Sequence, residues 1–290
     1  MSDMRIRFLS VILMAVIVVS LTSCDNFESS PYGAKIKGKR NTNGASVEAL
    51  VSTAPALPLR FAFITDTHDA TRETLRAIEI IRSRGDVDFI IHGGDLTDFG
   101  LPKEFMWCRD AMEESGLPYV AVIGNHDCLG NGEDNFEWIF GTKNYSFTIA
   151  GVHFVCLNTV ALEYDYSEPV PDLNFLAEDA SEIARINGEY PDSVTHTVVV
   201  MHSRPFDEQF NNNVAMPFLY YLQGYPGTEP DGESGEYARA FCLCGHNHNF
   251  QVSDLYGTGM MFYQGDNIAK RSFMIFTITD DGYEMEKVEF

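Results

Sequence analysis

Basic residues are scarce in this 290-residue chain, which has 20 Lys and Arg against 42 Asp and Glu and a formal net charge of -22. This excess of acidic residues argues against binding of DNA or RNA without sequence preference, because proteins with that function neutralise phosphates with basic side chains. An acidic protein can still handle phosphate through bound cations. Hydrophobic residues make up 45% of the chain, which is the composition of a globular protein and not of a disordered acidic one.

The chain also lacks an apolar run long enough for a comfortable membrane span. The run from Phe8 to Leu21 is shorter than the roughly 20 residues that a transmembrane helix needs, and it follows two arginines, as a signal-peptide core does. It ends at Leu21-Thr22-Ser23-Cys24, which resembles a bacterial lipobox.

We therefore expect residues 1–23 to be a cleaved lipoprotein signal peptide and Cys24 to be lipidated. The mature protein would then be an exported bacterial lipoprotein, anchored by its lipid on the periplasmic or cell-surface face of a membrane. The alternative is a plain signal peptide or a short hydrophobic anchor, with Cys24 incidental.

Cysteines are few, with six in the chain. If Cys24 carries lipid, the other five cannot all pair, and Cys242 and Cys244 would point to one face of a strand, too cramped for an ordinary disulfide. We expect most of them to be small buried core residues. Residues 24–57 are rich in Ser, Asn and Gly and include a basic cluster from Lys35 to Arg40. They predict a flexible tether before a single domain at 58–290.

From Leu59 onward, short apolar runs alternate with stretches of helical period, which favours an α/β layered fold. The predicted buried strands are Leu59–Thr65, Asp88–His92, Tyr119–Ile123, Thr195–His202 and Ala240–Cys244. The predicted helices are Thr71–Arg84, Pro102–Glu114 and Leu173–Ile186. Two further stretches predict antiparallel pairs and hence mixed sheets: 145–149 with 152–157, and 260–263 with 273–278 before a turn at 280–282.

Polar clusters follow the predicted strands. They are Asp66-Thr67-His68, Gly94-Asp95-Leu96-Thr97-Asp98, Gly124-Asn125-His126-Asp127, His202 and Gly245-His246-Asn247-His248. Each alone is compatible with ordinary turn chemistry. Because the carboxyl ends of strands in an open α/β sheet converge on one rim, all five clusters together predict a single site. The remaining histidines, His92, His153 and His196, are expected to be structural.

Taken together, these clusters resemble the calcineurin-like metallophosphoesterase pattern over nearly all of residues 59–250. The resemblance implies an α/β fold in the form of a four-layer α/β/β/α sandwich of mixed sheets, as in metallo-dependent phosphatases, with two metal sites. The first site would use Asp66, His68, Asp95 and His248. The second would use Asp95 as a bridge, Asn125, His202 and His246.

The residue types support that chemistry independently. Mixed imidazole and carboxylate ligands suit two divalent transition-metal ions, with Mn, Fe, Zn, Ni and Co as candidates, rather than Mg or Ca, which prefer all-oxygen sites. Two such ions with Asp66, Asp95 and a bridging hydroxide leave a local charge of about +1, which attracts phosphate inside an acidic protein. A metal pair also activates water for in-line attack.

His126 is the expected general acid that protonates the leaving group, because its neighbour Asn125 as a ligand would place the imidazole over the site. The resemblance implies that Asp98 is the carboxylate that hydrogen-bonds and orients it. A helix or turn cap is the alternative for Asp98. Related Ser/Thr protein phosphatases carry Arg after this position, whereas this chain has Phe99. Arg204 is the candidate to replace that phosphate clamp, against an ordinary surface arginine.

The sequence thus predicts a hydrolase of small phosphomonoesters or phosphodiesters with a metal-bound hydroxide, working outside the cytoplasm. A narrower alternative is a nucleotide or cyclic-nucleotide phosphodiesterase. An alternative of another class is an inactive surface binding lipoprotein. The net charge predicts no extended nucleic-acid partner, and the sequence indicates no oligomeric state.

Overall fold

The computed structural model describes residue 14 and residues 30–164, 167–230 and 235–290. Apart from Met14, the predicted signal peptide and the predicted lipidation site Cys24 lie outside the described residues. Within these ranges, no helix combines the length and the apolar character that a membrane crossing requires.

Helices and strands alternate through most of the described chain. The α-helices are α1 (Thr42–Thr53), α2 (Thr71–Arg84), α3 (Pro102–Glu113), α4 (Gly132–Ile139), α5 (Leu173–Glu189) and α6 (Ala215–Leu222). The first strands are β1 (Leu59–Ile64), β2 (Phe89–His92), β3 (Tyr119–Ala121), β4 (Tyr145–Ile149), β5 (Val152–Cys156) and β6 (His196–Val200). The last are β7 (Ala240–Cys244), β8 (Gln251–Asp254), β9 (Met261–Gln264), β10 (Ser272–Ile278) and β11 (Tyr283–Glu289).

The strands form two mixed sheets, as the sequence predicts. The five-stranded sheet has the order β11-β10-β1-β2-β3, and the six-stranded sheet has the order β4-β5-β6-β7-β9-β8. In the first sheet β1, β2 and β3 are parallel, with β10 antiparallel to β1. In the second sheet β5, β6, β7 and β9 are parallel. The parallel strands direct their carboxyl ends to one edge of each sheet.

The two sheets pack face to face between two layers of helices. Because side chains alternate along a strand, Phe61 of β1 faces the second sheet and meets Phe154 of β5 with ring centroids 5.6 Å apart. The neighbouring Ile64 faces the other way, into the apolar layer formed with α2, α3 and α4. Helices α5 and α6 cover the outer face of the second sheet. This arrangement confirms the predicted four-layer α/β/β/α sandwich.

Within residues 58–290 the predicted elements agree with the structure, apart from small differences at their ends and the pairing of the C-terminal strands. Helix α2 and strand β7 have the predicted bounds, and the predicted hairpin at 145–157 forms as β4 and β5. The expected pairing of 260–263 with 273–278 is wrong. Strand β9 lies in the second sheet beside β7 and β8, whereas β10 lies in the first sheet between β1 and β11. The segment between them crosses from one sheet to the other.

Residues 30–57 are not a flexible tether, in contrast to the prediction. Helix α1 lies along β3, the edge strand of the first sheet. The side-chain amide of Asn43 donates to the carbonyl of Ala121 at 3.0 Å and accepts from its N–H at 2.9 Å. Ser46 accepts from the N–H of Tyr119 at 3.1 Å. These polar side chains satisfy backbone groups that an edge strand leaves unpaired, which explains why a Ser- and Asn-rich segment is folded.

Candidate metal centre

The predicted strand-end clusters meet at one place, between the carboxyl ends of the two sheets. Asp66 follows β1, Asp95 follows β2 and His202 follows β6. The Nε2 atom of His202 lies 3.3 Å from Oδ2 of Asp95, although the two residues belong to different sheets. The main-chain N–H of His246, after β7, donates to the carboxylate of Asp66 at 3.1 Å. The topology therefore builds one site from both sheets.

The first predicted ligand set is assembled. Asp66, His68, Asp95 and His248 each offer one ligand atom, and these atoms all lie within 4.8 Å of one another. The Nε2 atoms of the two histidines are 3.3 Å apart. Nε2 of His248 lies 3.3 Å from Oδ1 of Asp66, and Nε2 of His68 lies 3.6 Å from Oδ2 of Asp95.

The second predicted set is assembled beside the first. Oδ1 of Asn125 lies 3.1 Å from Nε2 of His202 and 3.1 Å from Nδ1 of His246. Oδ2 of Asp95 completes this set at 3.3 Å from Nε2 of His202. The same Asp95 oxygen therefore faces both groups of donor atoms.

These separations fit divalent metal ions. Two ligand atoms bound to one tetrahedral ion at ordinary Zn–N and Zn–O lengths lie about 3.4 Å apart, and the donor pairs lie 3.1 to 3.6 Å apart. Two imidazole nitrogens at 3.3 Å, His68 Nε2 and His248 Nε2, aim at the same region of space. The donor set has the chemistry and the spacing of a transition-metal site.

Hydrogen bonds on the far side of each ring fix which nitrogen faces the centre. Nδ1 of His202 donates to the carbonyl of Gly93 at 2.8 Å, and Nδ1 of His68 lies 3.2 Å from the carbonyl of Thr97. Both rings therefore turn Nε2 to the centre, the nitrogen that would bind a cation once deprotonated. The ring of His246 is reversed: its Nε2 faces the carboxylate of Glu208 at 3.2 Å, and Nδ1 faces the site.

The backbone of the ligand residues is unusual. Asp66, His68, Asp95, His246 and His248 all have positive φ angles, between 43° and 72°. Non-glycine residues seldom adopt this left-handed conformation, although Asp, Asn and His do so more readily than others. Several such residues at one site are typical of functional centres, where the surrounding structure holds them in place.

Two glycines let the loops approach closely enough to form the site. Gly94 has a φ of +94°, and a Cβ there would lie 2.5 Å from Nδ1 of His202. A Cβ on Gly124 would lie 2.1 Å from the backbone nitrogen of Asp95 and 2.2 Å from its Oδ1. The space at both positions is taken by ligand residues.

Asp127 is the main residue of the site that sequence reasoning missed. It is fully buried, and its carboxylate accepts hydrogen bonds from the N–H groups of Leu96, Thr97 and Gly124 and from the hydroxyl of Thr97, at 2.8 to 3.1 Å. It thus joins the loop after β2 to the loop after β3. The sequence signal for Asp127 was its place at the end of the Gly-Asn-His-Asp cluster. A carboxylate that is buried there and does not bind metal needs several hydrogen-bond donors.

The electrostatics of the site couple the carboxylates to the imidazoles. Burial alone lowers the pKa of His202, but the charges of Asp95 and Asp66 outweigh it and raise this pKa to about 10. Burial raises the pKa of Asp95, yet the imidazoles of His202 and His68 bring it well below its usual range. The pKa of His248 is raised mainly by its hydrogen bond to Asp66. The protons on His202 and His248 supply positive charge that divalent cations would otherwise bring. Binding of such cations would therefore release these protons.

His92 lies beneath the site and is structural, as expected. Its Nε2 lies 3.0 Å from the hydroxyl of Thr67, and its Nδ1 accepts from the N–H of Gly94 at 3.3 Å. Burial lowers the pKa of His92 to about 3, so the ring is neutral. It supports the loops that carry the ligands.

His126 lies at the edge of the centre, with its ring in edge contact with the ring of His68 at 4.7 Å between centroids. The expected hydrogen bond from His126 to the Asp98 carboxylate is replaced by one to the main chain: Nδ1 of His126 lies 2.9 Å from the carbonyl oxygen of Asp98. The carboxylate of Asp98 instead lies 3.2 Å from Nδ1 of His68. Asp98 therefore contacts both histidines, through different atoms.

Arg204 is engaged in structural contacts. Its guanidinium lies 3.2 Å from Oγ of Ser253 and 3.2 Å from Oε1 of Gln251, both on β8, and 3.4 Å from Asp207. Asp207 in turn accepts from the side chain of Asn247, between two ligand histidines, at 2.9 Å. These contacts attach the loop after His202 to the ligand loop after β7, and they favour a positioning role over a phosphate clamp.

Comparison with known proteins agrees with this geometry. The sequence matches the calcineurin-like phosphoesterase family over residues 59–250. The fold is similar to that of a dimetal phosphatase from Danio rerio, with a TM-score of 0.60 and 12% identity over 80% of this chain and 96% of that one. It is also similar to a purple acid phosphatase from yellow lupin, Lupinus luteus, with a TM-score of 0.53 and 14% identity over 81% and 52% of the two chains.

One curated relative is a probable cyclic nucleotide phosphodiesterase of Xenorhabdus bovienii, which is 25% identical over 89 residues. These residues are 29% of this chain, and they span only 36% of that protein. Because the family match runs through every candidate ligand loop from Asp66 to His248, and the two sheets with their helices reproduce the fold of known phosphatases, the chain belongs to the calcineurin-like phosphoesterase family.

Proposed function

We propose that this protein is a metal-dependent phosphohydrolase that cleaves small phosphomonoesters or phosphodiesters outside the cytoplasm, tethered to a membrane by lipid on Cys24. The observation that carries the proposal is the position of Asp95. Its Oδ2 lies 3.6 Å from Nε2 of His68 in one donor set and 3.3 Å from Nε2 of His202 in the other. One carboxylate oxygen that faces both sets favours a pair of ions, as in two-metal hydrolases.

The residues divide between the two ions as the donor atoms do. One ion would be held by Asp66, His68, Asp95 and His248, and the other by Asp95, Asn125, His202 and His246. The mixture of imidazole, carboxylate and amide donors favours Mn, Fe, Zn, Ni or Co. When bound, such ions supply Lewis acidity toward the phosphate and lower the pKa of the attacking water.

His126 supplies the proton for the leaving group in this proposal. The main-chain N–H of His126 donates to Oδ1 of Asp95 at 2.9 Å, which fixes the loop against the shared carboxylate. Its Nδ1 donates to the carbonyl of Asp98 at 2.9 Å, so the other ring nitrogen, Nε2, carries the exchangeable proton when the ring is charged. A general acid at this position lowers the barrier for departure of a poor leaving group.

The His126→Ala variant tests this role. We expect it to retain its metal ions and to lose about 10²- to 10⁴-fold in turnover of phenyl phosphate. The loss should be smaller for 4-nitrophenyl phosphate, because its better leaving group needs less protonation. The matched control is Asn125→Ala, which should lose metal. Metal analysis that finds His126→Ala depleted would instead make His126 a ligand, as its grouping with His68 and Asp98 allows.

A narrower function, hydrolysis of nucleotides or cyclic nucleotides, is favoured by the partial similarity to the Xenorhabdus bovienii protein, which is a probable cyclic nucleotide phosphodiesterase. A panel of 4-nitrophenyl phosphate, bis(4-nitrophenyl) phosphate and cyclic AMP, given to protein loaded with Mn²⁺ or Zn²⁺, separates the substrate classes. Absence of both bound metal and turnover would favour a binding lipoprotein instead. The mass of the mature N-terminal peptide tests lipidation of Cys24.

A further inference from the structure

Four large apolar side chains border the loop that carries His126. Tyr32, Phe99, Leu129 and Leu162 are 48%, 59%, 38% and 47% exposed. We call these four residues the apolar rim. Single exposed apolar residues are common on soluble proteins, but a cluster of them next to a binding site is typical of a contact surface.

Close contacts hold two parts of the rim against residues 126–131. The side chain of Asn131 donates to the carbonyl of Tyr32 at 3.2 Å. Gly100, next to Phe99, lies so near the carbonyl of Leu129 that an added Cβ would be 2.3 Å from that oxygen. Tyr32, Phe99 and Leu129 therefore share one side of the molecule.

The remaining rim residue is attached to the same loop, and the loop starts at the site. Leu162 lies in a 3₁₀ helix, Ala161–Tyr164, whose last residue has its hydroxyl 3.7 Å from Sγ of Cys128. His126 begins the loop, and its Nδ1 contacts the carbonyl of Asp98, the residue before the rim phenylalanine. The apolar rim thus lies beside the metal centre.

The N-terminal segment brings the predicted lipid to this place. Tyr32 packs beside Gly130, with the ring 2.5 Å from the position of a Cβ on that glycine. Only six residue steps separate Ser30 from Cys24. At about 3.3 to 3.6 Å per extended residue, they reach about 22 Å at most. A lipid on Cys24 would therefore keep the rim near the bilayer surface, because residues 30–57 are folded against the domain.

The charge of the same segment is complementary to anionic lipid. Residues 30–47 include Lys35, Lys37, Lys39 and Arg40 and contain no acidic residue, in a chain with a net charge of -22. Lys35 and Lys37 are exposed. The guanidinium of Arg40 lies 3.9 Å above the ring of Trp138. Basic and aromatic side chains of this kind favour the headgroup region of a membrane.

We infer that the apolar rim docks on the bilayer that holds the lipid anchor, and that the metal centre acts on phosphate esters presented at that membrane surface. The inference rests on the proposed lipidation and phosphohydrolase function. It adds an orientation: the catalytic edge faces the membrane, instead of moving freely on a long tether.

The test uses the mature acylated protein, residues 24–290, in vesicles of phosphatidylethanolamine and phosphatidylglycerol, with or without brominated acyl chains. Leu129→Trp places a fluorophore in the rim, and Tyr220→Trp places one at an exposed position of α6 as the matched control. After subtraction of the parent signal from the two native tryptophans, we expect brominated lipid to quench emission at 129 at least twofold and emission at 220 not at all. Leu162→Trp is a second probe if Leu129→Trp does not fold.

Emission at the rim that is quenched no more than emission at 220 would overturn the inference and would leave the rim to a protein partner. Turnover of soluble 4-nitrophenyl phosphate with Mn²⁺, measured in the same vesicles, reports separately on the proposed function. It should be equal in the parent and in the tryptophan variants, since no metal ligand is changed. Absence of turnover in the parent would contradict the phosphohydrolase, whatever the quenching shows.

Discussion

Substitution of Gly124 by alanine tests whether the spacing of the loops creates the metal centre. The added Cβ would lie 2.1 Å from the backbone nitrogen of Asp95, whereas ordinary contact begins at 3.4 Å. Either loop must therefore move by about 1.3 Å, the difference between these distances. The added Cβ would also lie 2.2 Å from Oδ1 of Asp95. The movement therefore separates the shared carboxylate of Asp95 from the loop that carries Asn125.

We expect Gly124→Ala to fold, to lose metal and to lose about 100-fold or more in turnover, because a displacement near 1 Å costs that much at an active site. Overpacking should cost about 1–3 kcal/mol of unfolding free energy, or about 2 to 12 °C in Tm for a domain of this size. Metal analysis, 4-nitrophenyl phosphate turnover and calorimetry measure the three effects.

The matched control is Gly188→Ala in α5, where an added Cβ meets no atom within 4 Å. This variant should keep its metal and turnover, with a Tm equal to or above that of the parent, because alanine favours the helix. The reasoning is refuted if Gly124→Ala has the metal content, turnover and Tm of the parent. A lower Tm with unchanged metal content and turnover would show that the loops adjust to the added Cβ without moving Asp95.

Three further predictions concern hydrogen bonds within the domain. Burial raises the pKa of Asp179, but hydrogen bonds from His153 and other groups outweigh it and lower this pKa. The Asp179→Asn variant should therefore lose about 1–3 kcal/mol of unfolding free energy at pH 7. This loss should shrink as the pH falls below the ordinary Asp pKa of about 4, because the carboxylate of the parent is then protonated. Urea unfolding at pH 7 and pH 3 measures this, and equal losses at both would contradict it. Asn43→Ala removes two hydrogen bonds to Ala121 and should lower the unfolding free energy by about 1–3 kcal/mol in the same assay. Unchanged stability would show that these bonds from α1 do not stabilise the edge of the sheet. The asparagine in Asp127→Asn cannot accept all the hydrogen bonds of the carboxylate, and the variant should bind metal about 10- to 100-fold more weakly. If a metal titration gives the affinity of the parent, Asp127 does not support the metal-binding loops.

The sequence predicted the strands and the polar clusters that meet at one place because both leave local patterns. An apolar run such as Ala240–Cys244 followed by Gly245 and two histidines can be read without the fold. The carboxyl-end rule then brings clusters together that are more than a hundred residues apart, as with Asp95 and His202. The family resemblance added the division of these residues into two sets.

The features that were predicted wrongly depend on distant partners. Asn43 and Ser46 bond to an edge strand more than seventy residues later, and no local period reveals such contacts. The separation of β9 and β10 into different sheets depends on their pairing with β7 and β1, strands that are distant in the sequence. The contact of His126 with the carbonyl of Asp98, instead of its carboxylate, is set by the turn of a loop, which residue types do not encode.

The left-handed backbone of the ligand residues also limits how the site could be re-engineered or could diverge. A designer who wished to change the metal preference would replace His68 or His248 by Cys, or Asp66 by Glu. At φ angles of 43° to 58° these replacements would carry a conformational penalty beyond any change in ligand chemistry, since Asn, Asp and His occupy this region most readily after Gly. Variation in metal use should therefore arise around the ligands more easily than at them.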